Sequence, residues 1–222
     1  REEAAKRDHR RLGRELDLYS FIPEAPGMPF WHPRGAVVFN TLVEFSRRLQ
    51  GAAGYQEVIT PQVMDESFWT RSGHMEHFKE NMFFTQSEDK NFAIKPMNCP
   101  ADIMIFKSQT RSYRDLPLRL MDYGVLHRNE RSGTLHGLMR VRKMVQDDSH
   151  IFVTPEQIGP EVGRVLDLCD RLYGVFGMTY RAELSTKPEK ALGDAATWAR
   201  AEAALEQVMK APIISWPLGL FD

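Results

Sequence analysis

Apolar residues recur at Val38, Leu42, Phe45 and Leu49, spaced four, three and four apart. That spacing lines one face of a helix over residues 36–50, which Gly51 and Gly54 then end. Residues 55–60 predict a short strand stopped by Pro61. Residues 65–70 predict a further helix with Asp65 as its cap. Residues 81–85 and 91–95 predict two strands joined by the polar turn 86–90. Residues 99–107 predict a helix with Pro100 in its first turn. Two more strands are predicted over residues 118–127 and 139–146, separated by the polar loop 128–137. Residues 154–174 predict a helix kinked or restarted at Pro160, with Val162, Val165, Leu166 and Leu172 facing inward. An Ala-rich helix follows over residues 195–210. At the front, residues 1–18 predict a helix with a thin apolar face, its only breaker being Gly13. Pro23, Pro26, Gly27, Pro29, Pro33 and Gly35 then impose a loop with a short extended piece. Strands and helices do not strictly alternate, and paired strands lie close in sequence. An antiparallel-rich α+β domain is therefore expected rather than a doubly wound parallel sheet.

Composition narrows the class. The chain has 222 residues, long enough to bury a core, and 42% of them are apolar. Its 29 Lys and Arg face 30 Asp and Glu, a net charge of −1. That balance excludes a strongly basic nucleic-acid-binding chain but leaves room for a local basic face. Cys99 and Cys169 are too few for a disulfide framework, which favours a reducing compartment. No apolar run is long enough to span a membrane, and residues 1–14 are charged rather than signal-like. A cytoplasmic globular protein is expected.

Candidate chemistry is densest over residues 127–150, which hold His127, Arg128, Glu130, Arg131, His136, Arg140, Arg142, Lys143, Gln146, Asp147, Asp148 and His150. On the predicted strand, Arg140 and Arg142 share a face. Such a pair suits an anion held by paired guanidinium donors, and equally a solvated hairpin edge with surface ion pairs. Alternation would likewise bring Asp148 and His150 to one face. Asp148 suits an ammonium group, His150 a metal, and Cys99 a second metal ligand; a lone cysteine is also a common small buried residue. His74 and His77 follow Ser72-Gly73, where a histidine beside a glycine turn can reach a substrate, or simply sit in a surface loop. Neither common glycine-rich nucleotide loop is present in the sequence.

Longer motifs make the comparison specific. Lys95-Pro-Met-Asn-Cys-Pro100, Ser112-Tyr-Arg-Asp-Leu-Pro-Leu-Arg119, His127-Arg-Asn-Glu130, Leu135-His-Gly-Leu-Met-Arg-Val-Arg142 and Gln146-Asp-Asp-Ser-His150 resemble the threonyl-tRNA synthetase family. Arg7-Asp-His-Arg10 resembles the family's lead-in to its catalytic core. The resemblance implies a class II aminoacyl-tRNA synthetase fold, an antiparallel sheet flanked by helices. It implies threonine, ATP with Mg, and tRNA(Thr) as partners, and a homodimer through the region of residues 36–61, which resembles motif 1. Within motif 2, Arg128 would bridge the ATP α-phosphate and the threonine carboxylate. Glu130 would contact the adenine amino group, Arg140 the γ-phosphate, and Met144 the adenine face. Cys99 and His150 match two of the family's zinc ligands, the zinc taking the threonine amino and hydroxyl groups. Met97, Gln146 and Asp148 would line the threonine pocket, Asp148 pairing with the ammonium or hydroxyl. His74 matches a histidine implicated in transfer to the tRNA ribose.

Two positions depart from the family pattern: Met144 replaces an aromatic residue, and Asp102 replaces a histidine. The resemblance runs from about Arg7 to Leu205 and does not include a third motif or a third zinc ligand. The expected organisation is a helical lead-in over 1–20, a core with motifs 1 and 2 over 21–205, and a divergent tail over 206–222. The chain is thus expected to be the front part of a truncated catalytic core. The alternative is a non-catalytic dimerisation or tRNA-binding module.

Overall fold

Capping chemistry sets many of the element boundaries. In the computed structural model, which describes residues 6–189, 191 and 193–210, Asp8 caps α1 (His9–Glu15) by accepting the Arg10 backbone N–H. Of the helix predicted over residues 1–18, Lys6 is helical and α1 follows after a break at Arg7 and Asp8, while the first five residues lie outside the described ones. Gly13 does not break α1 but makes room for it: a Cβ there would lie 2.5 Å from the Tyr19 ring. Strands β1 (Tyr19–Ser20) and β2 (Phe30–Trp31) pair antiparallel across the proline-rich loop.

Helix α2 (Pro33–Ala52) starts earlier than its periodicity suggested, because Pro33 suits a helix's first turn. Its apolar stripe is only partly covered: Val38 and Leu42 are exposed, whereas Leu49 is buried together with Gly35, Ser46 and Gln50. Strand β3 (Gln56–Glu57) runs parallel to β7 (Leu118–His127), with Gln56 opposite Leu120. β7 is the central strand between β3 and β8 (Lys143–Phe152).

A second three-stranded sheet has the order β4 (Val63–Asp65), β6 (Lys90–Ile94), β5 (Phe83–Ser87), all antiparallel. The β5–β6 turn is tighter than predicted. Glu88 and Asp89 both adopt positive φ, +50° and +58°, which matches the right-handed twist of a two-residue hairpin. Asp65 caps α3 (Glu66–Arg71) through the Ser67 backbone N–H. Trp69 of that helix is fully buried on Met82 and Ala93, with Phe68, Met75 and Phe78 around them. α4 (His74–His77) and α5 (Cys99–Lys107) complete this unit, which comprises the described residues 6–110 together with 120–150.

The second unit comprises 111–119 and the described residues between 151 and 210. Its α6 (Ile158–Val175) follows a 3-10 turn in which Thr154 and Gln157 form a capping box. Pro160 falls in the first turn of α6, where its missing N–H costs nothing; of the two predicted outcomes the α-helix restarts here, at Ile158, rather than kinks. α7 (Ala195–Lys210) packs on α6. Arg119 donates to both carboxylate oxygens of buried Glu161, at 2.5 and 2.6 Å. The predicted tail beyond residue 210 lies outside the described residues.

Candidate active site

β8 runs later than the predicted strand over 139–146. Residues 136–140 close a tight tip, with His136 and Arg140 bridged through their backbones, so strand alternation begins at Lys143. The correction brings Met144, Gln146, Asp148 and His150 to one face. Asp147 faces the other way. Ser46 Oγ and Gln50 Nε2 of α2 both donate to its carboxylate, which fixes the orientation of β8.

α5 places Cys99 at its start, with Pro100 in the first turn. One donor atom each of Cys99, Asp148 and His150 lies within 4.8 Å of the other two. Asp102, one helical turn after Cys99, is fully buried, and its Oδ2 lies 2.7 Å from His150 Nδ1. Pairing Nδ1 with a carboxylate orients the ring and leaves Nε2 for a metal. Asp102, then Cys99, push the His150 pKa up to about 10 against the desolvation that lowers it. At neutral pH a metal must therefore displace a proton from this ring. Buried Asn98 donates to Asp148 at 3.1 Å. Gly124 is needed beneath it, since a Cβ there would lie 2.0 Å from Asn98 Oδ1. A thiol, an imidazole and a carboxylate, with a second carboxylate behind the imidazole, make a donor set that fits zinc.

Arg128 follows β7. Its Nε donates to Pro96 O at 3.2 Å, and its guanidinium stands 6.0 Å from the Phe78 ring centroid. No carboxylate pairs with it among the described residues, so its remaining N–H groups can meet an anion. Glu130 accepts from Arg140 Nε at 3.1 Å and Nη2 at 2.8 Å. Arg142 instead holds the loop backbone, donating to Glu130 O at 2.9 Å. Arg140 and Arg142 therefore precede β8 and do not form the shared strand face predicted for them.

His74 opens α4 after Gly73, whose φ is +79°. Its Nδ1 is 2.9 Å from Ser72 Oγ and its Nε2 is 3.3 Å from Met97 Sδ. Burial lowers the His74 pKa, which leaves the ring neutral at pH 7. His77 lies on the same short helix, 3.8 Å from Glu76. Met144 lines a cavity of about 160 Å³ with Pro29, Trp31 and Phe39.

Sequence reasoning missed the supports. Asp102 stood out only as a departure, although its spacing from Cys99 places both on one helical face. Asn98 and Asp147 stand inside the quoted motifs but were given no role there, and Ser46 and Gln50 carried no motif signal.

Residues 78–211 match the family model described as "tRNA synthetase class II core domain (G, H, P, S and T)". The chain is 53% identical over 209 residues to a threonine–tRNA ligase of Clostridium kluyveri, covering 94% of this chain and 33% of that protein. A threonine–tRNA ligase of Thermotoga petrophila is also 53% identical over 216 residues, covering 97% of this chain and 34% of that protein. The crystal structure of the RNA binding domain of threonyl-tRNA synthetase from Cryptosporidium parvum matches with a TM-score of 0.88 and 48% identity. That match covers 91% of this chain and 51% of the other. The chain spans about a third of the length of the curated relatives it matches.

Proposed function

The chain belongs to the class II tRNA synthetase core family (G, H, P, S and T), in its threonine branch, and on that premise we propose that it forms the amino-acid and ATP side of a threonine–tRNA ligase. The convergence of Cys99, Asp148 and His150 carries this reading. Cys99 and His150 would hold a zinc ion, which when bound supplies Lewis-acid coordination for the amino and hydroxyl groups of threonine. Asp148, steadied by Asn98, pairs with the threonine ammonium or hydroxyl. Met97 and Gln146 line the same pocket. Valine offers no hydroxyl and leaves these polar groups unpaired, which is the physical basis for rejecting it.

ATP enters with Mg. Arg128 holds the α-phosphate beside the threonine carboxylate. As a carboxylate oxygen attacks the α-phosphorus and pyrophosphate leaves, its guanidinium meets the growing equatorial charge. Glu130 takes the adenine amino group, Arg140 the γ-phosphate, and Met144 the base. In the second step a ribose hydroxyl of tRNA(Thr) attacks the threonyl carbonyl and AMP leaves. Neutral His74, held by Ser72, is suited to take a proton there. Exposed Val37, Val38 and Leu42 on α2 support a homodimer through that helix. No helix among the described residues is long and apolar enough to cross a membrane.

Threonine-dependent ATP–pyrophosphate exchange tests this reading. We expect exchange with threonine and not with valine, and its loss in Arg128→Ala with the fold unchanged. Exchange unaffected by Arg128→Ala would overturn the assignment. Absence of exchange with retained tRNA(Thr) binding would identify a binding module instead.

A further inference from the structure

We propose that His9 is a positioning residue that latches the loop carrying Glu130 and Arg140, and so sets the ATP side of the site; the ATP role of that loop rests on the reading just given. His9 begins α1, yet its Nε2 accepts the backbone N–H of Leu138 at 3.0 Å, 129 positions away. Accepting that bond requires a neutral ring with its proton on Nδ1, the nitrogen that lies 4.0 Å from Asp8 Oδ1.

The loop is shaped to receive this ring. Gly137 has φ +49°, and a Cβ on it would stand 2.2 Å from His9 Nε2. No side chain fits between them. The tip closes on itself, with His136 N donating to Arg140 O at 3.1 Å and Arg140 N to His136 O at 3.2 Å. Fixing Leu138 therefore fixes the backbone from which Arg140 projects. The helix side is anchored as well. Tyr19 OH donates to His9 O at 3.0 Å, and the Tyr19 ring fills the space beside Gly13. Arg142 N, donating to Gly27 O at 2.7 Å, secures the loop's far end. Between these two anchors the exposed Arg140 side chain has Glu130 as its ion-pair partner, and that partner travels with the same loop.

The test uses the 222-residue chain with His9→Ala, His9→Gln and Gly137→Ala. Hydrogen exchange at the Leu138 amide reads the latch directly. We expect exchange to quicken by roughly three- to tenfold in His9→Ala, the worth of one hydrogen bond. The KM for ATP should rise by a similar factor while the KM for threonine stays put. His9→Gln, whose Oε1 can accept the same N–H, should restore both readouts, and Gly137→Ala should mimic the loss. Unchanged Leu138 exchange in His9→Ala would overturn the proposal, as would an equal rise in both KM values without recovery in His9→Gln. If the chain supports no exchange reaction, Leu138 protection lost in His9→Ala and regained in His9→Gln still establishes the latch. In that case the failure falls on the ATP reading alone.

Discussion

The two ends of the candidate site are held in different ways. At the metal end, each candidate ligand or its neighbour rests on a buried polar group. Asp102 backs His150, Asn98 backs Asp148, and Gly124 gives Asn98 its room. At the phosphate end, Arg140 and Glu130 satisfy each other in a largely exposed loop. The first arrangement is built before any ligand arrives, with polar partners that cannot turn to water. On the proposed reading the second would exchange a protein ion pair for a ligand. Threonine recognition would then draw on preorganised groups, and ATP contact on a loop whose place depends on a few backbone bonds.

Removing a buried support should have the largest effect. Asp102→Asn should weaken zinc binding by about 10–100-fold, as loss of an orienting carboxylate does elsewhere; competition with a chelator measures it. Gly124→Ala should destabilise the fold by about 1–3 kcal/mol, because the new Cβ displaces Asn98 in a packed interior, and it should weaken threonine binding with it. Thermal melts read the first effect, and a melting temperature equal to wild type would remove Asn98 from the account. Glu130→Gln should change stability by less than about 1 kcal/mol, since its partner is exposed, while altering the KM for ATP. A large stability loss there would erase the contrast between the two ends.

The smallest expected effect is on pH dependence. Burial lowers the His74 pKa below its ordinary 6.5. The unfolded chain therefore takes up this proton before the folded one does. The stability His74 contributes is complete above pH 6.5 and declines as pH falls through its folded pKa. His74→Phe should flatten that acid limb of the melting-temperature profile, and an unchanged slope would count against a buried neutral ring.

The elements that the sequence made legible are those with local punctuation. Pro100 marked the start of α5, and a dense apolar run marked β7. β8 was misplaced because residues 138–142 look strand-like but are drawn into a loop tip by long-range bonds to His9 and Gly27. Which face of α2 is buried was not legible for a related reason. Periodicity finds an apolar stripe but cannot say what covers it, and here the buried face is partly polar, with Ser46 and Gln50 tied to Asp147. The parallel pairing of β3 carried no local signal at all. At the candidate site, the residues proposed to meet ligands stood in recognisable motifs. The supporting roles of Asp102, Asn98 and His9 were not legible, although Asn98 and His9 stand inside quoted motifs, because each acts through a partner distant in sequence.

Cys99 and His150 are proposed to hold a metal that reads threonine. Cobalt(II) substituted for zinc tests it most directly, because a thiolate bound to cobalt gives a charge-transfer absorption. We expect that absorption in the wild-type chain, its loss in Cys99→Ser, and a change on adding threonine that valine does not produce. A spectrum that is the same in Cys99→Ser, or indifferent to threonine, would contradict it.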